Sequence, residues 1–200
     1  MIRDQFHDRS EASTMIDTTA RVECTGASRY DRLHFGIIRF VHETLYGAFV
    51  NPYDLLIRAG LKCGQQVLEV GCGPGFFTIP AAKIVGETGH VYALDINAAA
   101  VEHVRRKIGR SRLANVEVRL GDAGVTTLGS DSVDAAFLFG VMQSLKDVNK
   151  VLREMHRILK TKGTLSIQSG LPENELIRTV CAGGLFKVRE KTKRISIFEK

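Results

Sequence analysis

The chain has no tryptophan and only four prolines and four cysteines among its 200 residues. No apolar run approaches the roughly 18 to 20 residues that a membrane-spanning helix needs. Cys24, Cys63, Cys72 and Cys181 are scattered, with no CxxC pair and no clustered histidines. That spacing argues against a structural zinc site and against a secreted disulfide framework, leaving free thiols. The opening stretch "MIRDQFHDRSEAST" is too polar and acidic for a targeting peptide, so a cytoplasmic location is expected. Internal repeats and low-complexity linkers are also missing. What is present, 44% hydrophobic and 25% charged residues, is the balance of one globular domain of ordinary size.

The net charge of +6 and pI near 9.3 raise the question of a nucleic-acid partner, because clustered cations release counterions from phosphates. Here the cations are dispersed. The densest runs are "HVRRKIGRSR" at 103–112 and "KVREKTKR" at 187–194, the second broken by Glu190 and neither interleaved with aromatics. They read as solvated helix and hairpin faces, and nucleic acid is not the favoured partner.

Residues 1–28 lack sustained periodicity and read as a loosely held N-terminal segment. Residues 29–200 read as a single domain with a helical cap over 30–60. Within it Leu33, Ile37, Phe40, Val41, Leu45 and Phe49 recur at helical spacing, and Asn51-Pro52 starts a second short helix that Gly60 stops. Downstream, β-rich runs at about 66–70, 90–95, 115–119, 133–139 and 163–168 alternate with helical stretches near 76–86, 97–109 and 147–160. "VYALD" and "VDAAFLF" are continuously apolar, as strands of a parallel sheet covered on both faces should be. The end, "LFKVREKTKRISIFEK", alternates with period two around "EKTK" and predicts an antiparallel hairpin. The fold expected is α/β: a doubly wound, Rossmann-like sheet of about seven strands, mostly parallel, with a C-terminal antiparallel hairpin and helices on both faces.

Chemistry concentrates in "VLEVGCGPGFFT", residues 67–78, where three glycines and a proline fall within five positions after an apolar run whose only charge is Glu69. A glycine-rich turn between the first strand and first helix lets a ligand approach backbone N–H groups without meeting Cβ atoms. About 20 residues beyond Gly75, Asp95 ends the second strand, where a carboxylate can accept from both hydroxyls of a ribose. The ligand predicted is a nucleoside. A dinucleotide site would use GxGxxG to receive pyrophosphate, but the spacing here is G-C-G-P-G, and the Glu69 carboxylate would repel phosphate and favour an ammonium.

On these residues the chain resembles the class I S-adenosylmethionine-dependent methyltransferases over roughly residues 52–200. "VLEVGCGPGFFT" is similar to their first motif, "VYALDIN" to the acidic second, "VRLGDA" to the third, and "LREMHRILKTKGTLSI" to the helix and strand after the fourth. The nearest look is to the small-molecule enzymes of ubiquinone and menaquinone biosynthesis. The resemblance implies S-adenosyl-L-methionine as cofactor. It puts Glu69, Gly71, Cys72 and Gly73 at its methionine portion, Asp95 at the ribose, Ile96, Asp122 and Ala123 at the adenine, and Phe139 with Gly140 beside the methyl-transfer zone. Local alternatives stay open: Gly75 for close helix packing, Ile96 as core, Asp122 as an Asx turn. No catalytic residue is assigned. Tyr30, His34, His42 and Tyr46 are candidate general bases, His156 reads as packing, and no metal site is expected.

The function implied is transfer of a methyl group to a small-molecule acceptor by in-line displacement. The alternatives are an RNA or protein methyltransferase, or a nucleoside-binding or partner protein without catalysis. No "NPPY" or "DPPY" follows the fourth strand. The connection after the fifth, "SGLPENELIRTVCAGG", is short with no inserted lid, so the apolar face of 30–50 serves as cover for a hydrophobic acceptor, as core, or as a docking face for a membrane or the second subunit of a homodimer.

Overall fold

The structure is a computed structural model that describes residues 50–192 and 194–200. The helix expected over 30–50, with Tyr30, His34, His42 and Tyr46, lies outside the described residues apart from Val50. Asn51 caps helix α1 (Pro52–Arg58), its side chain accepting from the Tyr53 N–H at 3.0 Å, and Pro52 stands in the first turn, where a missing N–H costs nothing. Strands and helices then follow in the order β1 (Gln66–Val70), α2 (Thr78–Val85), β2 (His90–Asp95), α3 (Ala98–Ser111), β3 (Val116–Leu120), β4 (Val133–Phe139), α4 (Val148–Ile158), β5 (Leu159–Gln168), α5 (Glu173–Cys181), β6 (Lys187–Lys191) and β7 (Ser196–Glu199).

The seven strands form one sheet in the order β3-β2-β1-β4-β5-β7-β6. The first five strands run parallel, and β7 is antiparallel to both β5 and β6. Alternation along each strand sends side chains to opposite faces. Val67 and Phe137 pack under α1 and α2 with Leu56, Ala81 and Val85. Leu68, Val70 and Leu138 pack under α4 and α5 with Leu152, Met155, Leu176 and Val180. The one charge inside β4, Asp134, sits at the amino edge, where it accepts from the Gln66 N–H at 2.8 Å and from Lys160 Nζ at 2.7 Å. Strand order reverses between β1 and β4, and a crevice opens there at the carboxyl edge.

Two elements differ from the sequence reading. The fifth strand begins at Leu159, not 163, and α4 stops at Ile158 instead of 160, because the chain passes from helix to strand without a loop. The irregularity is absorbed within the strand, where Lys162 takes φ +64° and the pairing register shifts between Val133 and Ala135. The connection after β5 contains α5, which returns the chain along the sheet instead of covering its edge. Leu176 and Val180 of this helix are buried, and Ile177 and Cys181 pack partly against the same core. The described cations of both basic runs lie at or near the surface. Lys187 and Arg189 pair with Glu199, Lys191 pairs with Glu173, and the charges guard an edge strand against further pairing. No described helix is long and apolar enough to cross a membrane.

Candidate functional site

The turn after β1 occupies the switch point. The N–H groups of Gly71 and Cys72 both donate to the Leu94 carbonyl, at 2.7 and 3.0 Å, and that of Gly75 donates to the Cys72 carbonyl at 2.8 Å. These bonds hold the backbone in a left-handed course, φ +75° at Gly71 and +49° at Gly73, which residues with a Cβ adopt only under strain. The space in front differs between the two. A Cβ on Gly73 would meet nothing within 4 Å, whereas one on Gly71 would collide with Val141 Cγ1 at 2.3 Å. Gly73 therefore faces open space, and Gly71 is covered by the loop that follows β4. Gly75 packs on Val104 of α3, where a Cβ would come within 3.1 Å.

Asp95 closes the other side. Its Oδ2 accepts from the Gly73 N–H and its Oδ1 from the Asn97 N–H, both at 2.8 Å. Each oxygen keeps lone pairs for hydroxyl donors from the crevice. Burial pushes this carboxyl upward from its ordinary value, and the backbone N–H bonds oppose the shift. Ile96 is 69% exposed, which removes the core alternative for it. Leu120, opposite Asp95 in the β2–β3 register, is half exposed. Asp122 does make an Asx turn, accepting from the Gly124 N–H at 2.8 Å, and Lys150 Nζ lies 3.0 Å from its other oxygen. Ala123 is buried beside it.

Three of the expected residues are placed differently from the sequence reading. Glu69 is 2% exposed and lies beneath the turn, with the Thr78 hydroxyl donating to it at 2.5 Å. Burial lifts its pKa from 4.5 to about 8, aided by Asp95 and opposed by Thr78 and Lys107. At neutral pH, with no ligand, it is mainly a neutral acid, so repulsion of phosphate is not its resting property. The Cys72 side chain faces away from the crevice and packs with Ala93, Val101 and Val104 beneath α3; burial raises its thiol pKa far out of the reactive range. Phe139 is buried, its ring 5.1 Å from Phe77 and 5.0 Å from Phe137, and Gly140 is the exposed residue at that strand end. His156 packs edge-on to Phe186 at 5.8 Å. The sequence reading assigns no role to Thr78 and Leu120, although they lie within "VLEVGCGPGFFT" and "VRLGDA", and it passes over Val141 and Lys150, which belong to no spacing pattern that marks ligand contact.

Beyond β4 the loops of β4 and β5 touch: a Cβ on Gly170 would lie 3.1 Å from Gln143 Nε2. Further along this half of the edge a cavity of about 440 Å³ lies between α1 and the β6–β7 turn, with Val50, Leu55, Arg58 and Arg194 in its wall. The carboxyl edge thus has two unlike halves, a polar crevice over β1–β3 and a second space over β4, β5 and β7.

Known proteins share this plan. Demethylmenaquinone methyltransferase of Lactobacillus johnsonii is 31% identical over 120 residues, 59% of this chain and 49% of that protein. The ubiquinone/menaquinone biosynthesis C-methyltransferase of Escherichia coli is 29% identical over 152 residues, 76% of this chain and 58% of that protein. The chain spans about half the length of these curated relatives. A crystal structure of a SAM-dependent methyltransferase from Aquifex aeolicus superposes with a TM-score of 0.71 at 25% identity, covering 84% of this chain and 96% of that one. Residues 61–195 match the family model of a methyltransferase domain, a span that runs from before β1 to the turn of the closing hairpin, and the chain belongs to that methyltransferase domain family.

Proposed function

We propose that the protein binds S-adenosyl-L-methionine in the crevice over β1–β3 and transfers its methyl group to a small, largely apolar acceptor over β4 and β5. The observation that carries this reading is the Asp95 carboxylate, fixed by one N–H from the glycine turn and one from Asn97, next to the open space in front of Gly73. A ribose presents two adjacent hydroxyl donors, which is what such a carboxylate can take. Ile96 and Leu120 offer the apolar contact for the base, and Asp122 with the Ala123 N–H its polar edge. Glu69, ionised when a cation arrives, balances the ammonium of the methionine portion. Bound there, the cofactor supplies a sulfonium-activated methyl group.

The chain's own contribution is then placement. Holding acceptor and donor in line can lower the barrier by roughly 7 to 11 kcal/mol without a dedicated catalytic side chain. The touching loops after β4 and β5 border the acceptor. The cap read over residues 30–60, mostly outside the described residues, is assigned to close it from water and to supply any general base. The names of the relatives support a quinone-like acceptor.

Calorimetric titration with S-adenosylhomocysteine and NAD tests the cofactor, and transfer of radiolabelled methyl to lipid extract, RNA and protein tests the acceptor. Binding of the homocysteine product but not NAD, with label in the lipid extract, is expected. Binding of NAD alone would overturn the reading, and label in RNA would move it to the alternative acceptor class.

A further inference from the structure

Lys150 belongs to the site although it stands on α4, across the molecule's loop layer from the glycine turn. Its backbone N–H donates to the Asp147 carboxylate that caps α4, at 2.8 Å, so the helix start fixes its Cα. Its aliphatic stem lies flat on Gly124: a Cβ there would stand 2.8 Å from Lys150 Cδ and 2.9 Å from Cγ. Its ammonium meets Asp122 Oδ2 at 3.0 Å while the Gly124 N–H holds Oδ1 at 2.8 Å. Glycine at 124 thus performs two tasks, leaving room for the lysine stem and donating to the same carboxylate.

Stability does not account for this arrangement. The two side chains are 43% and 55% exposed, and ion pairs in such settings contribute little to folding. What the arrangement does is fix the rotamer of a carboxylate that would otherwise swing freely in water, two residues beyond Leu120 at the carboxyl end of β3. A carboxylate there accepts only; it has no proton to offer. Lys150 and Gly124 also keep it charged, holding its pKa below the ordinary carboxylate value.

We propose that Lys150 is a positioning residue for the base subsite, holding Asp122 so that the pocket prefers a purine that donates at its six-position over one that accepts there. The inference rests on the reading of Asp122 as a base contact. Adenine presents an amino group at that position, which the fixed carboxylate accepts. Hypoxanthine presents a carbonyl oxygen, which the carboxylate repels. Once Asp122 can rotate and hydrate, part of the discrimination is lost, because ordering it must then be done at binding.

The test compares S-adenosylhomocysteine with its inosine analogue by calorimetry, using the full chain. Lys150→Met is expected to weaken binding of the adenosine compound roughly fivefold, the cost of ordering one side chain, to leave the inosine compound unchanged, and so to narrow the preference by the same factor. Lys150→Arg, which keeps a cation over Gly124, should restore most of it. Equal weakening of both compounds, or no change in either, would overturn the inference. If Lys150→Met does not fold, Lys150→Gln makes the same comparison. Asp122→Asn separates the two levels: if it leaves the preference intact, the base-contact reading has failed; if it abolishes the preference while Lys150→Met does not, only the role of Lys150 has failed.

Discussion

Replacing Glu69 by glutamine should change the pH dependence of both stability and binding, in opposite senses. The carboxyl is fully enclosed; the groups around it are the Thr78 hydroxyl, the Asp95 carboxylate, the Cys72 thiol and the Lys107 ammonium. Its pKa rises on folding from 4.5 to about 8. The folded state therefore holds the proton more tightly than the unfolded chain. Stability from this group is fully present below pH 4.5 and is lost as pH rises through about 8. Each tenfold gain in proton affinity on folding is worth about 1.4 kcal/mol, so the wild type should lose on the order of 4 kcal/mol more than Glu69→Gln between pH 5 and pH 8.5. Glutamine keeps an oxygen for Thr78 but cannot ionise. Urea melts followed by circular dichroism at three pH values measure the difference. Binding of S-adenosylhomocysteine should behave conversely. Wild-type affinity should rise by up to about tenfold per pH unit from pH 6 to 8 as the carboxylate forms opposite the ammonium, while the variant binds roughly ten- to a hundredfold more weakly with a flat profile. Parallel stability curves for the two proteins would refute the buried neutral acid, and a flat wild-type binding profile would refute its pairing with a cation.

Asp95→Ala should weaken S-adenosylhomocysteine by at least tenfold, since it removes charge-assisted bonds worth roughly 1.5 to 3 kcal/mol each; it should also lower the melting temperature by a few degrees, because the Gly73 and Asn97 N–H groups lose their acceptor. Unaltered affinity in the titration would remove Asp95 from the site. Gly73→Val should abolish binding, both by strain at φ +49° and by filling the open space, and a variant that binds normally would reduce the loop to a simple turn. Glu154 provides a control away from the edge. Arg157 and the backbone and hydroxyl of Thr126 hold its carboxyl at about 2, so its stabilising contribution is present above pH 4.5 and fades as pH falls towards 2. Glu154→Gln should cost about 2 kcal/mol at pH 7, with the gap to wild type closing in acid and no effect on binding.

The parallel sheet is legible because each of its strands is a short run with β-branched or apolar character bounded by turn residues, and "VDAAFLF" has no other home than the centre. Asp95 is legible through spacing alone, since the length of one helix and one strand fixes its distance from the glycines. What the sequence hides is orientation. Glu69 alternates with Val70 and Leu68 inside a strand covered on both faces, so it points into the sheet's packing instead of out of its edge, and only the position of Thr78 beneath the turn shows what that does to its charge. Phe139 and Cys72 follow the same rule: neighbours of glycines at the edge, they turn inwards. α5 is a different case: Leu176, Ile177, Val180 and Cys181 recur at helical spacing and pack on the core, so its period is present in the sequence, and the sequence reading misses it by taking the stretch only as a connection.

Most of the chain satisfies local propensity, burial and pairing at once; departures occur elsewhere, as at the left-handed Arg112, Thr127, Asp131 and Lys162, but one group of them gathers at the switch point. A buried acid near the end of β1, three left-handed glycines in the turn that follows it, and an isoleucine standing largely in water just after β2 lie together there. Each would be improved for stability by an ordinary substitution: glutamine or leucine for the acid, a regular turn for the glycines, a polar residue for Ile96. Their concentration at the switch point, while the amino edge of the sheet is closed by paired Asp134 and Lys160, is what a ligand that is cationic at one end and flat and apolar at the other would require. The covering half is of a different kind. Over β4 and β5 the described residues at the edge include Gly140, Gln143 and Gly170, and on the proposed reading specificity for the acceptor comes from what closes over them. Changes at positions 69–96 should therefore alter cofactor affinity and leave acceptor choice intact, and the determinants of acceptor choice should lie in the cap and the loops after β4 and β5.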